Sequence, residues 1–222
     1  SFNVTGSQLT AGSSANEFTY TLNNGTAADN YVISQNVGTL IVLNREAQYR
    51  IIAQAAGAEY LYDGTAHEVS GFVTTEFEVE GNRYFLSGLR AEAEGTHAGS
   101  YTAAVTGVPV VSDSNGNDVT AQFAVETVPG TLVINRRSVN IASFNAEKTY
   151  DGRSLTGTAA QAPGYEIIGD GFAAGEGAEI TFTGTRTLPG TAENSFTYAL
   201  TGNAEADDYI ITTSFGTLTV LD

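Results

Sequence analysis

The sequence predicts a mainly β protein of tandem small mostly-β modules, β-grasp-like or sandwich-like, with little or no helix. Three observations carry that expectation. Apolar and polar residues alternate with a period of two over many short stretches, turn-forming Asn and Gly clusters separate these stretches, and one ordered set of motifs recurs about every 90 residues. Alternation puts one face of a strand on a core and the other in water. Asn-Gly tolerates the positive φ of a tight hairpin. A repeat of this length is too long for a solenoid unit, so each copy is expected to own a core.

The strands read out in order. Phe18, Tyr20 and Leu22 alternate with Thr19 and Thr21, and Phe196, Tyr198 and Leu200 alternate with Thr197 and Ala199. Tyr101, Ala103 and Val105, then Phe123 and Val125, then Leu132 and Ile134 keep the same period. Residues 50–60 (RIIAQAAGAEY) are Ala-rich and could hold a helical turn, but their counterpart Val139 to Phe144 reads as strand, so strand is expected there too. Turns are expected at Asn23-Asn24-Gly25, at 113–118 and at Thr201-Gly202-Asn203.

The repeat sets the organisation. Gly-Thr-Leu occurs at Gly38, Gly130 and Gly216, each preceded by an aromatic at Tyr31, Phe123 and Tyr209. Tyr-Asp-Gly occurs at Tyr62 and Tyr150. At an offset of 178 residues (Gly12 to Gly190), residues 1–43 align without a gap on the end of the chain, with identities at Gly6, Asn16, Phe18, Tyr20, Asp29, Tyr31 and Leu40 among others. Residues 1–44 are therefore read as the C-terminal half of a truncated module, 45–136 as one complete module and 137–222 as another. The junctions Leu43-Asn44-Arg45 and Ile134 to Arg137 lack linker composition, so the modules are expected to be stiffly coupled neighbours. A chain opening on Ser1 reads as a piece of a longer one.

Composition narrows the chemistry. Twenty-five acidic residues against nine basic ones give a formal charge of −16, which repels phosphate backbones and anionic headgroups. Nucleic-acid partners and direct membrane insertion are not expected, and no apolar run approaches the ~18 residues of a spanning helix. With no Cys, thiolate chemistry and disulfides are excluded. Hydrophobic residues make up 41% of the chain, with 11 Tyr and 11 Phe, enough for packed cores.

The order of motifs Tyr150-Asp151-Gly152, Pro189-Gly190 to Leu200, Asp208-Tyr209-Ile210-Ile211 and Gly216-Thr217-Leu218-Thr219-Val220 resembles the YDG-type and related "mostly beta-grasp" modules. The middle module departs from the pattern at Gly99 to Ala103 and carries Phe123 in place of Tyr, similar to a second subtype of that group. Such modules stand in tandem in large bacterial surface proteins. The resemblance implies an extracellular, cell-surface setting and a stalk or adhesin segment. It carries over no catalytic residue.

Several residue clusters offer the chemistry of a site. Tyr60, Tyr62, Asp63 and Tyr84 place aromatic rings beside an acid, as sites for mucin-type or other host glycans do. Turn chemistry alone also accounts for Tyr-Asp-Gly, because Asp bonds its own backbone two residues on and Gly supplies positive φ. Asp113, Asn115, Asn117 and Asp118 offer oxygens at alternating positions, so Ca2+ is the one cofactor the sequence suggests; the closing Glu of an EF-hand loop is absent, Ala124 standing at that place. His67 and His97 are read as exposed loop residues, and no strained nucleophile elbow accompanies them. Glu76, Glu78 and Glu80 share a strand face and read as solvated. Lys148, the single lysine, reads as an exposed turn neighbour rather than half of an isopeptide crosslink. The function expected is a non-catalytic spacer of a surface adhesin. The alternatives are weak multivalent glycan binding and an accessory region of a glycan-processing enzyme.

Overall fold

The computed structural model describes residues 1–43, 47–159 and 164–222. The expected junction residues Asn44 and Arg45 lie outside the described residues. The chain is mainly β. Short strands carry most of it, and every helical element among the described residues is a single 3-10 turn of three residues. The Ala-rich stretch is strand, as Tyr49–Gln54 and Ala58–Leu61. The chain divides into two compact units, one of Ser1–Ala55, Gly71–Ala91 and Val105–Pro129, the other of Ala56–Ser70, Glu92–Ala104 and Gly130–Asp222. This division by contact and the division by sequence repeat partition the chain differently, because the long strands Asn82–Gly95 and Gly99–Asp113 contribute residues to both units.

In the first unit, Phe2–Val4 pairs antiparallel with Phe18–Tyr20, and Gly12–Asn16 with Gly38–Val42. Tyr49–Gln54 lies parallel to Phe123–Val128. Ile51, Ala53, Leu86, Val111, Val119 and Phe123 form the core, with Tyr49, Phe77 and Tyr84 packed on it. Glu76–Val79 turns into the next strand through Glu80 and Gly81, both at positive φ (51° and 78°), the backbone a two-residue hairpin needs. Only Glu76 and Glu78 of the three expected glutamates therefore share a strand face. Gly88 and Gly107 face each other with positive φ, and a Cβ on either would lie 2.2–2.3 Å from the other strand's carbonyl oxygens. Glycine is required there by close approach as well as by φ.

In the second unit three central strands each take one parallel and one antiparallel neighbour. Arg137–Ser143 pairs parallel with Tyr209–Ser214 and antiparallel with Tyr165–Gly169. Thr217–Leu221 takes Ala146–Thr149 in parallel and Gly190–Glu193 in antiparallel. Gly130–Asn135 takes Ala58–Leu61 in parallel and the start of Gly99–Asp113 in antiparallel. The core joins Tyr62, Leu132, Ile134, Val139, Ile141, Phe196 and Tyr209, with Leu155, Leu218 and Val220 in a second cluster.

The pairing repeats along with the letters. Gly12 faces Val42 as Gly190 faces Val220, and Phe2 faces Tyr20 as Ile180 faces Tyr198. Ala58 faces Leu132 as Ala146 faces Leu218. The two Tyr-Asp-Gly turns also match. Asp63 Oδ1 accepts the Thr65 amide at 2.9 Å, Asp151 Oδ1 accepts the Arg153 amide at 3.0 Å, and Gly64 and Gly152 have φ of 81° and 77°. One difference is large. Residues 31–36, the counterpart of Tyr209–Ser214, form no strand.

Candidate functional site

The densest polar constellation lies in the second unit, around Tyr62. Four chain segments build it. Tyr62 follows Ala58–Leu61, and its amide is fixed by the Asn135 carbonyl at 2.9 Å. His97 sits in the turn between the two long strands. Glu176 closes a turn through Gly175, whose φ is 82°, and its amide bonds the Ala173 carbonyl. Asp208 ends the 3-10 turn Ala206–Asp208, and Tyr209 opens the strand that follows.

Glu176 accepts from two phenols. Tyr62 donates to Oε1 at 2.8 Å and Tyr209 donates to Oε2, while the Tyr209 oxygen accepts the Ala173 amide at 3.0 Å. The two rings meet edge to face at 5.6 Å. Burial first, and then the bond to Glu176, pushes the Tyr62 hydroxyl's pKa well above its ordinary value; the same causes in the same order push Tyr209 up to about 12. Both phenols are thus held as neutral donors to a single carboxylate. Arg137 completes the frame, donating to the carbonyls of Tyr62 at 3.1 Å, Gly171 at 2.7 Å and Asp170. Substituting Tyr62→Phe removes one charge-assisted bond and leaves Glu176 with Tyr209 alone. The expected loss is about 1–2 kcal/mol of unfolding free energy by urea titration followed by circular dichroism.

A second acid stands beside this frame. Asp208 is fully buried, its Oδ1 accepting the Ala98 amide at 2.6 Å and its Oδ2 facing His97 Nδ1 at 2.9 Å. The Asp208 carboxylate, with Glu205 3.8 Å from the same nitrogen, raises the His97 pKa. His97, Glu205 and Asp208 bring three ligand atoms within 4.8 Å of one another, the grouping that could hold a divalent cation. Tyr62, His97, Glu176 and Glu205 border an open cleft of about 680 Å³.

The residues singled out by sequence are distributed as follows. Tyr62 is in the network, and its buried ring is withdrawn from sugar stacking. Tyr60 remains exposed, stacked on His67 at 4.1 Å, and His67 Nε2 meets Asp63 Oδ1 at 3.0 Å. His67 is therefore a packed residue rather than a loose loop one. Tyr84 is half-buried with its ring on Phe123 at 4.9 Å, in the first unit's core. Asp113 accepts the amides of Asn115 and Asn117 and the Asn117 side chain, each at 2.9 Å. Asp118 accepts the Thr120 amide and hydroxyl. Those bonds hold both carboxyls below the usual range. Asp113 and Asp118 thus serve their own turns first, and a cation there competes with backbone donors. Lys148 lies on Asp151 at 2.6 Å. Glu176 and Arg137 carry no site signal in the sequence, and Tyr150 is exposed where its repeat partner Tyr62 is buried.

No family model matches the chain, and no curated protein and no solved structure is significantly similar to it.

Proposed function

We propose that this chain is a non-catalytic module array, the stalk or spacer of an extracellular bacterial surface adhesin. The observation that carries the reading is the polar joint around Glu176. It links Tyr62, His97 and Ala98 of repeat 45–136 to Arg137, Glu176, Asp208 and Tyr209 of repeat 137–222 inside one compact unit. Apolar contact is non-directional and lets surfaces slide. Short hydrogen bonds among buried groups fix orientation, which a spacer needs when it carries load. Two phenols kept neutral on one carboxylate suit holding rather than proton transfer at neutral pH.

Glycan binding is the second reading, and Tyr60 favours it: an exposed ring beside Asp63 and His67 has the chemistry of a sugar platform. A glycan array probed with the intact chain, in EDTA and again in millimolar Ca2+, decides between the two. The spacer reading expects no retention in either condition. Specific retention that disappears in Tyr60→Ala would replace it with the second.

A further inference from the structure

The repeat supplies its own control for two segments that have no parallel neighbour among the described residues. In the last repeat, Tyr209–Ser214 takes Arg137–Ser143 in parallel, and Thr217–Leu221 takes Ala146–Thr149 in parallel. At the 178-residue offset the matching segments are 31–36 and 39–43. Neither has a parallel neighbour among the described residues, and Gly38–Val42 pairs only with Gly12–Asn16. The effect on burial is direct. Tyr209 is 3% exposed and its counterpart Tyr31 is 61% exposed; Leu218 and Val220 are buried, while Leu40 and Val42 are only partly so. Val32, Ile33, Val37, Ile41 and Leu43 also face solvent. A groove of about 570 Å³ runs beside Ile41, Val42 and Leu43, lined by Asp118, Val119, Ala121 and Gln122 of the same unit.

We infer that residues 31–43 form a docking edge for one kind of occupant: a separate extended segment with the pattern of residues 137–152, added in parallel. The register follows from the complete copy. Arg137-type and Val139-type positions of the occupant lie opposite Tyr31 and Ile33, and Ala146-type and Lys148-type positions opposite Leu40 and Val42. The occupant's Tyr-Asp-Gly then reaches the groove beside Leu43. A strand edge with no second neighbour among the described residues and with exposed alternate side chains is the surface that strand addition uses, main-chain bonds giving affinity and side-chain pockets giving selectivity. This edge is separate from the Glu176 joint, so its failure leaves the spacer reading standing.

The test is titration of the intact chain with a synthetic peptide of residues 137–152, read by amide hydrogen exchange. Exchange over 31–36 and 39–43 should slow by about tenfold or more at saturation as those amides join a sheet. A peptide carrying Ile141→Asp and Tyr150→Ala should protect less, and a scrambled peptide not at all. Fusing the same segment ahead of Ser1 by a flexible linker should give the same protection without added peptide. The inference is overturned if neither peptide nor fusion slows exchange, or if the scrambled peptide does equally well. It is also overturned if the chain alone becomes protected as it dimerises with concentration, because the occupant is then a second copy.

Discussion

Replacing Asp208 by Ala should destabilise the second unit by about 2–4 kcal/mol, the larger of the two effects expected at the Glu176 joint. Asp208 is fully buried and accepts the Ala98 amide at 2.6 Å and the His97 ring at 2.9 Å. Truncation strands a backbone donor and removes two charge-assisted bonds together, and losing one partner of a buried charged group costs more than an exposed pair contributes. Asp208→Asn keeps one acceptor and should cost about half as much. The pH profile separates the histidine from the rest. Asp208 raises the His97 pKa above its ordinary 6.5, with Glu205 and Glu176 adding to it. A raised folded-state pKa means the stabilisation is complete below the unfolded value near 6.5 and fades as pH rises through the folded value. Wild type should therefore lose part of its stability as pH rises from about 6 upwards, and Asp208→Ala should lose that slope. An NMR titration of the His97 ring that gives equal midpoints in wild type and Asp208→Ala would refute the assignment.

The strands were legible because their cause is local. Phe123 and Val125, Leu132 and Ile134 alternate because each strand puts one face on a core, and the structure buries Phe123, Leu132 and Ile134. The Tyr-Asp-Gly turn was legible for the same reason: Asp63 and Asp151 bond amides two residues on. What such a turn does with its tyrosine was not. Tyr62 and Tyr150 share the triplet and the turn, yet one ring is buried and the other exposed, because burial depends on what packs against the turn. Glu176 is one acid in a run of Ala and Gly. It matters through phenols 114 and 33 residues away in sequence, a relation no window of residues contains. His97 is half-exposed, as a loop histidine would be, and bonds an acid 111 residues distant. Alternation reports which face is covered, not which polar groups converge.

The same leucine in two settings should give two different penalties. Leu218 is completely buried, on a strand flanked by Ala146–Thr149 and Gly190–Glu193 and packed with Leu155 and Val220. Leu218→Ala removes buried carbon from a site closed on both sides, which cannot collapse fully, and should cost about 3 kcal/mol or more. Leu40 has the same repeat position, faces Ser14 as Leu218 faces Ala192, and lacks the parallel neighbour among the described residues. Water already reaches part of it, so Leu40→Ala loses less transfer free energy and leaves no closed cavity; about 1 kcal/mol or less is expected. Urea unfolding monitored by circular dichroism gives both numbers, and equal penalties would mean that the Leu40 strand is as enclosed as its counterpart. The contrast also has a direction. If a parallel strand covers residues 39–43, the Leu40→Ala penalty should climb toward that of Leu218→Ala, because the added strand converts a wetted leucine into a core one.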